Sequence, residues 1–299
     1  MIAFVLSGAG NRGPLEVGAL RALIEAGIKP DFLVGTSAGS INSGYLAAWG
    51  ATVETTHQME KMWQGVDAGD IYPENIVQVV WRVRTNANSL YSSTGMRDVL
   101  RKALPPGVTT FGQLKVKLYT TATDLRSSRL YLFGDDPKAP LIDAILASAS
   151  VPGIHPPVSY NGLQLVDGGV VANVATSVAM DRGANQIYVI NAGYGGEEIK
   201  AAEGVMEVLL HTLNTMLAQS LLEDIDRAKQ DTKIDMHHIN VNGFSGISFR
   251  DFNKTKEMVA LGYQRASAYL ANPAPLDVAP ADVAPTVEGV TEYVPPFMR

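Results

Sequence analysis

The sequence predicts an α/β fold with a mainly parallel sheet. Residues 1–50 alternate short apolar runs with stretches of helical periodicity, and the unbroken apolar run Ile2–Leu6 is typical of a strand buried on both faces. A second run, Phe32–Val34, is followed by Gly35-Thr36-Ser37-Ala38-Gly39 and then by the helix-prone stretch Ser40–Trp49. Because strands alternate with helices here, we expect the strands to pair in parallel.

Turn residues bound most of the other elements. Pro14 in a first turn and Gly27 after a last turn delimit the first helix. The pair Asn161-Gly162 predicts a tight hairpin, and the polar run Asp124–Ser128 predicts another. We therefore expect helices over Pro14–Ala26, Val53–Trp63, Pro73–Trp81, Thr94–Leu104, Ala139–Ser150, Glu203–Lys229 and Asp251–Leu270, and further strands over Lys115–Thr123, Arg129–Phe133, Leu163–Val166, Gln186–Ile190 and Met236–Val241.

The composition of the chain changes at Ala271. We expect residues 1–270 to form a single α/β domain. Six of the sixteen prolines fall in the last 29 residues, with few large apolar side chains before Tyr293. This composition predicts a proline-rich tail over 271–299 that is extended, on the surface or partly disordered.

Composition also disfavours several classes of protein. The net charge is −6 and Lys and Arg form no dense run, which argues against nucleic-acid binding and against polybasic docking onto anionic lipid. The absence of cysteine excludes a disulfide framework, a thiolate nucleophile and a Cys-ligated zinc. No apolar stretch reaches the ~18–20 residues of a membrane span, and the apolar start lacks the basic residues of a signal peptide. We therefore expect a cytoplasmic protein.

Contact with a membrane would have to come from exposed apolar side chains. The segment 63–81 is the first candidate for such contact. Its large apolar residues are expected in the core, with an apolar groove as the alternative; they are Trp63, Tyr72, Val79, Val80 and Trp81. The amphipathic helix Glu203–Lys229 either covers the sheet or docks against another subunit, and the oligomeric state stays open.

The pattern Gly-x-Ser-x-Gly at residues 35–39 lies between a predicted strand and a predicted helix. This context is typical of a nucleophile elbow, which would hold Ser37 in a strained turn at the carboxyl end of the strand. Gly35 and Gly39 would let the backbone turn without a Cβ clash, and the N–H groups of the following helix would favour developing negative charge. The alternative is a turn without chemical role.

The loop Gly8-Ala9-Gly10-Asn11-Arg12-Gly13 matches the pattern Gly-x-Gly-x-x-Gly between a strand and a helix. In a dinucleotide-binding unit, an acidic residue would stand at the end of the second strand. Gly35-Thr36-Ser37 occupies that place, and Asp31 lies at the wrong end of the strand. The sequence therefore disfavours a nicotinamide cofactor.

An oxyanion hole is the alternative role of this loop. The backbone N–H groups of Gly8, Ala9 and Gly10 would form a donor cluster beside the Ser37 turn. The first two strands of such a unit are neighbours, so both loops would open at the same edge of the sheet. Arg12 is either a contact for a phosphate or carboxylate of the substrate or a surface arginine at a helix start.

Ser37 needs a base, because a free serine hydroxyl is a poor nucleophile. None of the five histidines has a setting that identifies it as that base; they are His57, His155, His211, His237 and His238. Asp167 is a better candidate, since it follows the strand Leu163–Val166 and precedes Gly168 and Gly169, which would expose its carboxylate. A carboxylate within hydrogen-bond reach of a serine can act as general base without a histidine.

Taken together, the three glycine-centred sites resemble those of the patatin-like phospholipase family. That family combines a glycine-rich oxyanion loop, a Gly-x-Ser-x-Gly elbow and an Asp-Gly-Gly or Asp-Gly-Ala box in this order, here Gly8–Gly13, Gly35–Gly39 and Asp167–Gly169. The similarity covers about residues 2–192 and extends more weakly to Leu270. The supporting stretches are 147–153, 156–158 and 170–173.

The resemblance implies a three-layer α/β/α fold and a Ser–Asp dyad with Ser37 as nucleophile and Asp167 as base. It implies hydrolysis of fatty-acyl esters, such as those of phospholipids or lysophospholipids, through an acyl-serine intermediate and without metal or cofactor. One departure is Ala9, where the family commonly has a glycine. If the chain needs a positive φ there, Ala9 costs about 1 kcal/mol.

Two alternatives stay open. One is an acyltransferase or thioesterase that uses the same serine, and such acyltransferases typically rely on a histidine. The other is a lipid-binding regulator with a weakened site, for which Ala9 is the only support in the sequence.

Overall fold

Eight strands form one mixed sheet that carries helices on both faces. The protein is described here from a computed structural model, which gives residues 1–193, 204, 208, 212, 233–244 and 246–273. In these residues the strands are β1 (Ile2–Leu6), β2 (Phe32–Gly35), β3 (Lys117–Asp124), β4 (Arg129–Phe133), β5 (Val158–Tyr160), β6 (Leu163–Asp167), β7 (Gln186–Asn191) and β8 (Asp235–Asn240). The helices are α1 (Gly13–Glu25), α2 (Ala38–Trp49), α3 (Val53–Gln64), α4 (Ala68–Ile71), α5 (Ile76–Arg84), α6 (Thr94–Ala103), α7 (Leu141–Ser148), α8 (Thr176–Asp181) and α9 (Thr255–Ala271).

The strands hydrogen-bond in the order β5-β6-β3-β2-β1-β7-β8, and β4 also pairs with β3. The pairs between β3, β2, β1, β7 and β8 are parallel, whereas β4, β5 and β6 pair antiparallel. Since β1 and β2 are neighbours, the loops that follow them open at the same edge, as the sequence predicts. The α/β fold with a mainly parallel sheet is confirmed.

The strands are buried on both faces, and their alternation builds two cores. In β1, Phe4 and Leu6 belong to the core beneath α1, α2 and α9, whereas Ala3 and Val5 belong to the opposite core beneath α8. This assignment follows from the period of two along a strand, which sends successive side chains to opposite faces. Helices on both sides of one sheet make the three layers α/β/α.

Strands β2 and β6 occupy the same edge of β3, one after the other. Thr120 pairs with Gly35 of β2 on one side and with β4 on the other side. Two residues later, Ala122 pairs with Asp167 of β6 opposite the same β4. The end of β6 therefore meets the end of β2, and this register brings residues 35–37 and Asp167 together.

The structure differs from the sequence predictions in the region after α3. Helix α5 begins later than predicted, because Asn75 and Gln78 form a capping box that fixes its start. Helix α4 was not predicted, although Asp67 and Asp70 form a capping box there too. Helix α8 was also missed. Apart from residues 204, 208 and 212, the predicted helix Glu203–Lys229 lies outside the described residues, as does the tail from residue 274.

The expectation that the large apolar residues of segment 63–81 lie in the core holds for Trp63 and is wrong for Val80 and Trp81. Trp63 is a core residue, and its indole N–H donates to Asn42 Oδ1 over 2.8 Å. Val80 and Trp81 are instead exposed on α5. In the part of the chain that the structure describes, no helix is both long enough and apolar enough to cross a membrane.

Candidate active site

Ser37 lies in a strained turn between β2 and α2. Its φ is 53° and its ψ is −121°, a conformation that costs a residue with a Cβ on the order of 1–3 kcal/mol. Ser37 is buried, whereas the other non-glycine residues with positive φ are not: Asn86, Ser128 and Asn161 are exposed and Phe244 is half-buried. Backbone strain at a buried residue indicates a functional constraint, and a strained turn at Ser37 is what the sequence predicts for a nucleophile elbow.

The two elbow glycines are needed for close approach. A Cβ on Gly35 would lie 2.1 Å from Ser43 Oγ, and a Cβ on Gly39 would lie 2.5 Å from the carbonyl oxygen of Leu6. Neither glycine has a positive φ. The N–H of Gly39 donates to the carbonyl of Ser7 over 3.1 Å, so the elbow is fastened directly to the loop after β1.

Asp167 is in direct contact with the serine. The Ser37 hydroxyl donates to Asp167 Oδ2 over 2.7 Å, and the Gly169 N–H donates to Asp167 Oδ1 over 2.8 Å. Burial raises the pKa of Asp167 from 3.8 to about 6, although these two hydrogen bonds oppose the shift. The carboxylate is thus oriented by one partner, contacts the hydroxyl with its other oxygen, and titrates near neutral pH.

The sequence predicted that Gly168 and Gly169 expose the Asp167 carboxylate, and this prediction is wrong. Asp167 is buried, since its side chain faces the elbow. Gly168 allows a close approach instead, because a Cβ there would lie 2.3 Å from Thr121 Oγ1 of β3. The Thr121 hydroxyl also shares a hydrogen bond of 2.7 Å with the hydroxyl of Thr36 in the elbow. The elbow and the Asp-Gly-Gly box therefore both pack on Thr121 of β3.

The loop after β1 offers fewer donors than predicted. The Gly8 N–H donates to the carbonyl of Asn173 over 3.1 Å, so this group is already occupied. The N–H groups of Ala9 and Gly10 precede the first hydrogen bond of the 3-10 turn Gly10–Arg12 and have no hydrogen-bond partner among the described residues. Gly8 still lies against the elbow, because a Cβ there would be 3.2 Å from the Ser37 Cβ.

Ala9 carries no left-handed strain. Its φ is −139° and its ψ is −2°, and the positive φ of the loop falls on Gly10 at 57°. The backbone therefore does not require a glycine at position 9. The argument for a weakened site, which rested on this residue, loses its physical basis.

Arg12 is held by the protein itself. Its Nη2 donates to the carbonyl of Gly193 over 3.1 Å, and the residue is half-buried. This contact ties the first loop to the segment after β7. The contact of Arg12 with an anionic substrate stays a prediction.

None of the histidines in the described residues hydrogen-bonds to Ser37 or Asp167. His155 stacks on Tyr72 with ring centroids 5.6 Å apart, and burial lowers its pKa. His57 is exposed on α3, His238 contacts Asn191, and His237 contacts Asp235 and Tyr269. His211 lies outside the described residues.

Sequence reasoning missed a buried acid beneath the site. Glu16 of α1 is fully buried, accepts from Asn42 Nδ2 over 2.8 Å, and accepts from the Ser7 hydroxyl over 3.2 Å. Burial raises the pKa of Glu16 from 4.5 to about 8. The same Ser7 hydroxyl accepts from the N–H of Ala192 over 2.9 Å. Glu16 therefore supports the residue at which the first glycine loop begins.

Comparison with known proteins identifies the family of this chain. The family model for patatin-like phospholipase matches residues 4–180, more than half of the chain. The chain belongs to the patatin-like phospholipase family. The matched range contains the glycine loop, the elbow and the Asp-Gly-Gly box.

Curated relatives share the domain but are much longer. The chain is 25% identical to lysophospholipase NTE1 of Phaeosphaeria nodorum over 295 residues, which cover 90% of this chain and 18% of that protein. It is 30% identical to patatin-like phospholipase domain-containing protein 7 of Rattus norvegicus over 194 residues, 64% of this chain and 14% of that protein. The chain thus spans less than a fifth of these relatives.

Solved structures of similar proteins are more distant in sequence. VipD from Legionella pneumophila aligns with a TM-score of 0.49 at 15% identity, covering 90% of this chain and 66% of that chain. The ExoU–SpcU complex of Pseudomonas aeruginosa aligns with a TM-score of 0.41 at 19% identity, covering 91% and 51%.

Proposed function

We propose that this patatin-like protein is a serine acyl hydrolase that cleaves fatty-acyl esters of phospholipids, lysophospholipids or related lipids. The observation that carries the proposal is the 2.7 Å hydrogen bond from the Ser37 hydroxyl to the Asp167 carboxylate, in a buried and strained elbow. Family membership supports the lipid substrate class. The relative named lysophospholipase NTE1 supports the same class.

In the acylation step, Ser37 Oγ attacks the ester carbonyl carbon and its proton passes to Asp167 Oδ2. The carbonyl π bond becomes an alkoxide in the tetrahedral intermediate. When that alkoxide collapses, the bond to the alcohol breaks and Asp167 returns its proton to the leaving oxygen. In the second half, Asp167 takes a proton from water, the hydroxide attacks the acyl-serine, and the proton ends on Ser37 as the fatty acid leaves.

The negative oxygen of the intermediate needs donors close to Ser37. We assign this role to the backbone N–H groups of Ala9 and Gly10, which belong to the loop that packs against the elbow. Removing one such donor typically costs about 3 kcal/mol of barrier. Gly8 contributes by close packing, since its own N–H is bonded to Asn173.

The pKa of Asp167 suits this chemistry. A general base is most effective when its pKa lies near the working pH. With a pKa of about 6, Asp167 is ionised at neutral pH and remains basic enough to accept the serine proton. The dyad thus needs no histidine between acid and nucleophile.

Fluorophosphonate labelling with intact-mass readout tests the proposal. Wild type is expected to gain a single adduct, Ser37→Ala to gain none, and Asp167→Asn to react much more slowly. Ser43→Ala is the matched serine control, because Ser43 is buried on α2, directly after the elbow, and its hydroxyl donates to the Ser40 carbonyl. Asp124→Asn is the matched acid control, because Asp124 is a buried carboxylate that accepts from Ser127.

Unlabelled wild type is then offered long-chain lysophospholipid, and fatty-acid release is measured by mass spectrometry, with fluorophosphonate-labelled protein as the inactive control. Labelling that survives in Ser37→Ala would refute the assigned nucleophile. Equal labelling rates for Asp167→Asn and wild type would refute the assigned base. Faster transfer of the acyl group to an added alcohol or thiol than to water would make the protein a transferase.

A further inference from the structure

Helix α5 presents an unusual surface. The exposed fraction is 73% for Val77 and 65% for Trp81, and Ile76, Val80 and Val83 are exposed as well. Half of the exposed large apolar side chains in the described residues lie on this helix of 9 residues. Only Val79 and Arg82 of the helix are even half-buried. Contiguous apolar surface of this kind marks an interaction site.

Helix α5 is connected by hydrogen bonds to the segment 148–154, which also contacts Ser37. Arg82 donates to the carbonyl and the hydroxyl of Ser89, and Leu90 donates to the carbonyl of Gly153 over 2.8 Å. At the other end of that segment, Ser148 Oγ accepts from the Ser37 N–H over 2.9 Å. One short connected stretch, 148–154, therefore links α5 to the nucleophile.

An aromatic cluster joins the segments of chain on either side of α5, with Tyr72 before the helix and Tyr91 after it. Tyr72 packs on Tyr91, with ring centroids 5.0 Å apart, and Arg250 lies over both rings. The segment that carries Arg250 is bonded to the first glycine loop, because Asn11 Nδ2 donates to the carbonyls of Ser248 and Asp251. The residues that precede and follow α5 are thus connected, through Arg250 and Asn11, to the first glycine loop.

The charges of α5 favour a lipid surface as the occupant. The helix has two arginines in its last turn, Arg82 and Arg84, and no acidic residue, although the chain as a whole has a net charge of −6. An apolar face with a tryptophan and flanking basic residues is the composition of helices that lie in a membrane interface. A stable protein interface usually takes about 20–30 residues from each side, far more than this helix offers.

We propose that α5 inserts its apolar face into the surface of an anionic or mixed phospholipid membrane and so holds the Ser37 site close to lipid. This inference rests on the proposed function, since it names the surface from which a lipid substrate would enter. Ile76, Val77, Val80 and Trp81 enter the acyl boundary, and Arg84 contacts the phosphate layer.

Trp81 provides a direct reporter. Of the three tryptophans, Trp63 is in the core and Trp49 is half-buried, so lipid contact at α5 is expected to change the emission of Trp81 above all. The experiment uses the full chain carrying Ser37→Ala, so that no turnover alters the vesicles. Binding is measured by sedimentation and by tryptophan emission, on vesicles of pure phosphatidylcholine and of equal parts phosphatidylcholine and phosphatidylglycerol, with and without brominated acyl chains.

We expect blue-shifted emission that brominated lipid quenches, and Trp81→Phe should abolish both signals. Val77→Ser with Val80→Ser, which keeps the reporter, should weaken binding by roughly tenfold or more. Leu125→Ser is the matched control, because Leu125 is an exposed leucine in the turn after β3. This control should bind as the parent does.

Several outcomes would overturn the proposal: no binding, binding without quenching of Trp81, or equal binding by the double variant and its parent. Emission already shielded without lipid would show that another part of the chain covers α5. Dimers that the double variant dissociates would assign the face to a second copy. Turnover of a monomeric short-chain ester by the wild type tests the proposed hydrolase separately, since that reaction needs no interface.

Discussion

Replacing Glu16 with glutamine should change how the stability of the protein depends on pH. Glu16 is fully buried, and burial raises its pKa from 4.5 to about 8. Between these values the folded protein holds a proton that the unfolded chain releases. The contribution of Glu16 to stability is therefore complete below pH 4.5 and is lost progressively as the pH rises to about 8.

The size of the effect follows from the shift. Each pH unit within this window removes about 1.4 kcal/mol from the free energy of unfolding, so a rise from pH 5 to pH 7 removes about 2.5 kcal/mol. Glutamine can replace the neutral acid, because its carbonyl oxygen can accept from Asn42 Nδ2 and its amide can donate to Ser7 Oγ once the Ser7 hydroxyl hydrogen turns away. The variant should therefore escape the loss and gain about 2.5 kcal/mol over wild type across this interval.

Urea unfolding of wild type and Glu16→Gln at pH 5, 6 and 7 measures this difference. Comparing the two proteins cancels the contributions of the other titrating groups, Asp167 among them. Glu54→Gln, a change at an exposed glutamate of α3, serves as the control and should run parallel to wild type. A gap between wild type and Glu16→Gln that stays constant over this range would refute the reasoning, because Glu16 would then not carry its proton into the folded state.

Other predictions concern the dyad and its loop. The kcat/KM for an ester should fall about tenfold per pH unit below the Asp167 pKa of about 6, because the base must be ionised; a flat profile between pH 5 and 7 would exclude Asp167 as the base. Ser37→Gly should raise the free energy of unfolding by about 1 kcal/mol, since glycine relieves the strain at φ 53°; urea unfolding against Ser37→Ala, which keeps the strain, measures the gain. Ala9→Gly should leave the labelling rate within about threefold of wild type and lower stability by about 0.5–1 kcal/mol; a large gain in rate would show that Ala9 does impair the loop. Gly39→Ala should abolish labelling, because its Cβ would lie 2.5 Å from the Leu6 carbonyl, and an unimpaired variant would show that the turn can relax.

Residue patterns within short stretches of the sequence were sufficient to predict the strand–turn–helix units. The elbow was predictable because an apolar strand, two glycines and a helix leave one geometry for Ser37. The hairpin at Asn161-Gly162 was predictable because both residues accept the positive φ that the turn needs, 49° and 79° in the structure. These features depend on residues that are close in sequence.

Features that depend on packing between residues far apart in the sequence could not be predicted from such local patterns. Val80 and Trp81 were expected in the core because they are large and apolar, but apolar side chains on an outer helix look the same in sequence as those on an inner one. The burial of Glu16 was not predicted. Helix α1 is apolar and buried on nearly all sides, so an acidic side chain in it is buried as well. The occupation of the Gly8 N–H by Asn173 could not be predicted either, because the two residues lie far apart in the chain.

The register of β3 explains how Asp167, the base we propose, can reach Ser37 without a histidine between them. Gly35 stands opposite Thr120 and Asp167 opposite Ala122, so about 7 Å of strand separates the two attachment points. The strained turn at Ser37 spans that gap, and the Gly169 N–H holds the carboxylate in the one orientation that meets the hydroxyl. A base on a mobile loop would have to be ordered in every turnover, whereas here the sheet fixes both partners. The protein carries the corresponding costs in the folded state, as strain at Ser37 and as burial of Asp167, and we expect that relieving either one stabilises the fold and reduces turnover.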